Sequence, residues 1–101
     1  MATTVHLTIP GGTTELYEAL NREMGIDESN PPDGLQLHIA SKTDDGIQIT
    51  DVWESREQFD RFVEDDVMPA MAKLAGDDAP PFEPKFGELI GQIAGVRATT
   101  T

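Results

Sequence analysis

The stretch Asp44-Asp45-Gly46-Ile47-Gln48-Ile49-Thr50-Asp51-Val52-Trp53-Glu54-Ser55-Arg56-Glu57-Gln58-Phe59 constrains the fold more than any other part of the chain. It reads as a hairpin turn, a strand and a capped helix start. Asp45-Gly46 marks a tight hairpin, because glycine and aspartate tolerate the positive φ that such turns need. Ile47 and Ile49 alternate with Gln48 and Thr50, the period of a half-buried strand. Ser55 with Gln58 three residues later forms a capping box that satisfies orphan amides of the following helix.

The flanking segments supply the other elements. Val5, Leu7 and Ile9 alternate with His6 and Thr8, predicting a first strand that stops at Pro10-Gly11-Gly12. Leu16, Tyr17, Leu20 and Met24 recur at helical spacing, with Gly25 placed to close the helix. Asn30-Pro31-Pro32-Asp33-Gly34 is a loop. A second strand follows from Leu35 to about Ser41, with Leu35, Leu37 and Ile39 expected on one face. The second helix carries Phe59, Phe62, Val63, Val67, Met71 and Leu74 on one stripe. Pro69 interrupts it, predicting a kink near Asp65-Asp66 or a restart with Pro69 in the first turn. A proline-rich loop from Asp77 to Pro84 leads to a short last strand from Lys85 to about Ile90. The order βαββαβ is the ferredoxin-like, split βαβ arrangement of the α+β class. Right-handed crossovers predict a four-stranded antiparallel sheet in the order 4-1-3-2, with both helices on one face.

At 101 residues the chain reads as one domain, 1–101, with 96–101 as a frayed tail. The absence of cysteine excludes disulfides, thiolate metal sites and thiol nucleophiles. Met1-Ala2-Thr3-Thr4 lacks the basic region of a signal peptide, and no apolar run approaches the ~18 residues of a membrane span. A cytoplasmic protein is the expectation. The 19 acidic and 7 basic residues give a net charge of -12, which repels phosphate backbones and anionic membranes. Neither nucleic acid nor membrane is expected as a partner. The acidic surface suits neutral or cationic ligands or a basic protein partner, and equally a plain solvated exterior.

Strand parity assigns His6 and Thr8, Gln36, His38 and Ala40, and Gln48, Thr50 and Val52 to the sheet face away from the helices. That face is uncharged and hydrogen-bonding. It suits a wet cavity or a polar interface, and it also suits the ordinary open face of an antiparallel sheet. His38, in mid-strand, is the candidate general acid or base; His6 is a weaker one. Gln36, Gln48 and Thr50 would orient a substrate. In the expected order His6 and His38 stand two strands apart, roughly 9–10 Å, and no further His or Cys completes a ligand set, so no metal site is expected. Asp51 breaks the alternation, since parity turns it toward the helices with Ile47 and Ile49. A bulge that flips its side would deliver a carboxylate to the cavity. Trp53 reads as core first and ligand platform second. Gly11-Gly12 lacks the further residues of a phosphate loop.

Asp51-Val52-Trp53-Glu54-Ser55, the helix opening Arg56-Glu57-Gln58-Phe59, the later Pro69, and the preceding Leu37-His38-Ile39-Ala40 and Gly46 hairpin resemble the dimeric α/β-barrel superfamily, in particular antibiotic biosynthesis monooxygenase-like domains. The resemblance runs from about Gly34 to Gly76. It implies a homodimer whose sheets pack through their polar-lined faces, making a pocket of His6, Gln36, His38, Gln48, Thr50, Asp51 and Trp53. It also implies a small, aromatic ligand and cofactor-independent oxygenation of a phenol or hydroquinone. A non-catalytic binding or interaction module is the alternative. The haem-degrading branch has a tryptophan and a downstream histidine where this chain has Phe62 and Ala72, so no axial haem ligand and no cofactor are expected.

Overall fold

The computed structural model describes residues 2–79 and 82–93; the tail expected at 96–101 lies outside them. Strand β1 (Thr3–Pro10) leads into helix α1 (Thr14–Met24), where the Thr13 hydroxyl accepts the Leu16 amide at 3.1 Å. Gly25 ends α1 in the left-handed region at φ 68°, as a closing glycine should. Strands β2 (Leu35–Thr43) and β3 (Gly46–Trp53) form the hairpin, and β4 (Lys85–Glu88) adds the last strand. All pairings are antiparallel, and the order β2-β3-β1-β4 is the expected 4-1-3-2 read from the opposite edge.

Gly46 is required for a reason other than the turn itself. Asp44 and Asp45 are the two turn residues, since Thr43 pairs with Gly46. Gly46, at φ 138°, lies under the end of β1: a Cβ there would collide with the Ile9 carbonyl and stand 2.7 Å from the Gly11 nitrogen. The Gly11 amide meanwhile donates to the Asp45 carbonyl at 2.8 Å, tying the hairpin to the β1–α1 turn.

The second helical segment starts at the capping box, where the Gln58 amide donates to the Ser55 hydroxyl at 3.2 Å. The Ser55 hydroxyl in turn donates to the Gln58 side-chain oxygen at 2.9 Å, rather than Gln58 reaching the Ser55 amide. Helix α2 (Arg56–Phe62) then widens into a π-helical turn (Val63–Val67) before α3 (Met68–Ala75). Pro69 explains the widening. It has no amide to donate to Asp65 four residues back, and its ring would crowd that carbonyl at α spacing. The Met68 amide instead reaches Val63, five residues back. Of the two expected outcomes, the restart with Pro69 in the first turn is the one seen, with the π-helical turn as its junction.

Ile9, Ile47 and Ile49 of the sheet pack on Leu20 of α1 and on Ala70 and Met71 of α3. At the other end Val5, Trp53 and Phe59 form a second buried cluster, extended by Leu35, Phe62 and Phe86. Both helices therefore cover the face that carries Val5, Ile9, Ile47 and Ile49.

One strand departs from simple alternation. Leu35 pairs with Trp53 but Leu37 pairs with Val52, so Gln36 is an extra residue opposite a single partner. Downstream of this bulge His38 pairs with Asp51 and Ala40 with Ile49, on the helix side, while Ile39 pairs with Thr50. The expectation that Leu37 and Ile39 face the helices and that His38 and Ala40 face away is corrected. Ile39 is 53% exposed.

Candidate active site

Asp51 stays in phase with Ile47 and Ile49 and is buried, at 5% exposure, with no bulge in its own strand. A buried carboxylate needs donors on both oxygens, or its desolvation is uncompensated. Trp53, two residues on and on the same face, donates its indole Nε1–H to Asp51 Oδ2 at 3.1 Å. His38, directly across on β2, bonds Asp51 Oδ1 through Nδ1 at 2.6 Å. Because the carboxylate only accepts, the neutral form of His38 carries its proton on Nδ1 and leaves the Nε2 lone pair to accept. Tyr17, one helical turn before Leu20 on the inner face of α1, donates its hydroxyl to that Nε2 at 2.5 Å. The Tyr17 and His38 rings are parallel, with centroids 5.9 Å apart. That is too far for face-to-face stacking and matches an end-to-end arrangement set by the hydroxyl bond. Trp53, Asp51, His38 and Tyr17 thus form one continuous chain of hydrogen bonds.

This chain lies along a cavity of about 510 Å³ between the sheet and the helices. Leu7, Ile9, Leu20, Met24, Ile49, Phe62 and Met71 give it apolar walls, and Asp27, Glu28 and Pro31 of the α1–β2 loop are at its exposed rim. Among the described residues no lysine or arginine lines it. The size and the few convergent polar groups are those of a small-molecule site. The His38 side chain is 32% exposed against 7% for Asp51, so the imidazole is the reachable member and the carboxylate its buried anchor.

Of the residues singled out from the sequence, the structure brings His38, Asp51 and Trp53 together, but on the helix side of the sheet. The others lie elsewhere. His6 Nδ1 meets the Thr50 hydroxyl at 3.3 Å across β1 and β3 on the opposite face. His6 and Gln48 border a shallow hollow with Glu83 and Lys85. Gln36 is exposed at the bulge. Tyr17 is the member that sequence reasoning missed, having placed it with the apolar stripe of α1. Its phenol was the available signal, since a tyrosine packed inside needs a partner for its hydroxyl. Among the described residues no group of three or more His, Cys, Asp or Glu side chains could hold a metal ion, and no helix is long and apolar enough to cross a membrane.

The same architecture occurs in solved structures. A candidate antibiotic biosynthesis monooxygenase from Chloroflexus aurantiacus J-10-fl aligns over 93% of this chain and 98% of its own, at 18% identity and a TM-score of 0.62. SnoaB, a cofactor-independent oxygenase from Streptomyces nogalater, aligns over 91% and 95%, at 14% identity and a TM-score of 0.57. A monooxygenase from the gene ActVA-Orf6 of Streptomyces coelicolor, in complex with the ligand nanaomycin D, aligns over 94% and 92%, at 16% identity and a TM-score of 0.54. No protein-family model and no curated protein matches the chain. The chain therefore has the ferredoxin-like fold of the antibiotic biosynthesis monooxygenase-like proteins, as the sequence resemblance implies. At these identities the likeness is one of fold, and fold does not carry activity with it.

Proposed function

We propose that the chain is a cofactor-independent monooxygenase acting on a small aromatic phenol or hydroquinone, with His38 as the general base. The observation that carries this reading is the His38 imidazole, held by a buried carboxylate at the wall of an otherwise apolar cavity. A base oriented by a third group is the arrangement that removes a proton efficiently. Asp51 fixes the tautomer and stabilises the imidazolium once formed, as the carboxylate does in hydrolase triads.

The chemistry this permits begins with removal of the phenolic proton toward His38. The electron-rich phenolate then passes one electron to dioxygen, and the ring radical and superoxide combine at an open ring carbon. Loss of water from the resulting peroxide leaves a quinone. Phenol plus dioxygen gives quinone plus water, with all four electrons coming from the substrate. Apolar walls serve this sequence by keeping bulk water from the radical pair and the peroxide.

The reading includes a homodimer formed through the open sheet face, where Ile39 is exposed beside the His6–Thr50 pair. The test is oxygen uptake with a panel of hydroxynaphthalenes and hydroquinones, alongside native mass spectra of the purified protein. Uptake by a dimer, lost in His38→Ala, is the expected result. No uptake across a varied panel, or equal uptake in His38→Ala, overturns the oxygenase and leaves a ligand-binding module.

A further inference from the structure

Both ring nitrogens of His38 are already engaged, Nδ1 by Asp51 at 2.6 Å and Nε2 by the Tyr17 hydroxyl at 2.5 Å. A substrate hydroxyl arriving in the cavity therefore finds no free nitrogen on the base. What it does find is Tyr17, which lines the same cavity. Having donated its one proton to His38, the Tyr17 oxygen keeps its lone pairs for an incoming donor. We infer that Tyr17 is the residue that meets the substrate hydroxyl, and that it relays the substrate proton to His38.

The inference rests on the reading of His38 as base and adds the path by which the proton reaches it. The transfer is a concerted shift of two protons. The substrate O–H bond breaks as its proton moves to the Tyr17 oxygen, and the Tyr17 O–H bond breaks as its proton moves to His38 Nε2. The substrate leaves as phenolate, Tyr17 ends neutral, and His38 ends as an imidazolium against the Asp51 carboxylate. No oxidant takes part in this step, and the same shift run in reverse, from His38 through Tyr17 onto the peroxide oxygen, returns the proton before water leaves and resets the chain.

Three features of the fold suit a relay. The parallel rings and the short Tyr17–His38 bond align donor and acceptor end to end. Tyr17 is carried on α1, whose neighbouring Leu20 is buried in the core, so the phenol is held by a packed helix and not by a loop. At the far end of the chain the Trp53 indole, 1% exposed, anchors the other Asp51 oxygen, so positive charge on His38 meets a carboxylate that cannot turn away. The opposite role for Tyr17 is a plug that must swing aside before substrate reaches Nε2. The two roles give opposite signs when the hydroxyl is removed.

The experiment compares wild type with Tyr17→Phe and His38→Gln, using 4-nitrophenol as probe at a pH well below that at which the free phenol ionises. Its bound phenolate band reports proton transfer without turnover. Binding of 4-nitrotoluene, the same shape without the hydroxyl, reports an intact cavity. The relay predicts that wild type shows the phenolate band and that both variants lose it while still binding nitrotoluene. With an oxidisable substrate, Tyr17→Phe should lower kcat roughly 10²-fold with KM little changed, within the range for losing a general acid–base group. A phenolate band retained or strengthened in Tyr17→Phe but lost in His38→Gln overturns the relay and leaves His38 as a base that tyrosine merely plugs. Absence of the band in wild type overturns the base and the relay together.

Discussion

Replacing Asp51 by asparagine alters one atom of a buried side chain, and its consequences can be worked out from the hydrogen bonds. The Trp53 indole can only donate, so the asparagine carbonyl must take the place of Oδ2, 3.1 Å from Nε1. The reverse orientation would set two buried N–H groups against each other, at about 1–3 kcal/mol for the unsatisfied donor. With its carbonyl committed to Trp53, the new amide points at His38 Nδ1 and donates to it. His38 must then carry its proton on Nε2, turned toward Tyr17, and has no lone pair with which to accept one. Loss of two charge-assisted bonds costs about 1 kcal/mol each relative to neutral ones, partly offset because no charge is buried. The stability change should therefore stay within about 2 kcal/mol, or roughly 10 °C in midpoint for a domain of this size. The catalytic effect should be much larger, since inverting the tautomer of a dyad histidine lowers turnover on the order of 10⁴-fold, about 5 kcal/mol of barrier. Thermal melts followed by Trp53, the one tryptophan in the chain, would measure the first effect at fixed protein concentration. Imidazole ¹⁵N shifts would read the tautomer, and oxygen uptake the turnover. An Asp51→Asn protein that kept its proton on Nδ1, or that turned over within tenfold of wild type, would show that Asp51 does not set the His38 tautomer.

Two further predictions concern the scaffold. Because Gln36 is the residue in excess at the bulge, deleting it should regularise β2 while leaving Leu37 opposite Val52 and His38 opposite Asp51. Oxygen uptake and the Nδ1–H signal of His38 should survive the deletion, and their loss would place the extra residue elsewhere. Gly46→Ala should destabilise the fold by about 3 kcal/mol or more, since it combines a positive φ with overpacking against the Ile9 carbonyl. A denaturation midpoint unchanged from wild type would show that the β1–α1 turn is not pressed against the hairpin.

The chain by itself determined the order of elements, the hairpin, the helix start at Ser55 and the break before Pro69. Each is a local event, decided by a few neighbouring residues whose conformational limits hold in any context. The strand order followed from the connections alone. The location of the site was decided at a longer range. Leu35, Leu37 and Ile39 alternate as cleanly as Gln36, His38 and Ala40, so period two within β2 cannot say where a bulge inserts or which set turns inward. Pairing with β3 says it, because Trp53 and Asp51 are buried on the helix side and Asp51 needs a donor there. One extra residue at Gln36 brings His38 to that carboxylate and turns Ile39 outward. Asp51, which looked like a fault in its strand, marks the candidate site. Tyr17 completes it only because the packing of α1 on the sheet carries a phenol from a distant part of the chain to the second ring nitrogen of His38, a contact between elements that neither periodicity nor spacing encodes.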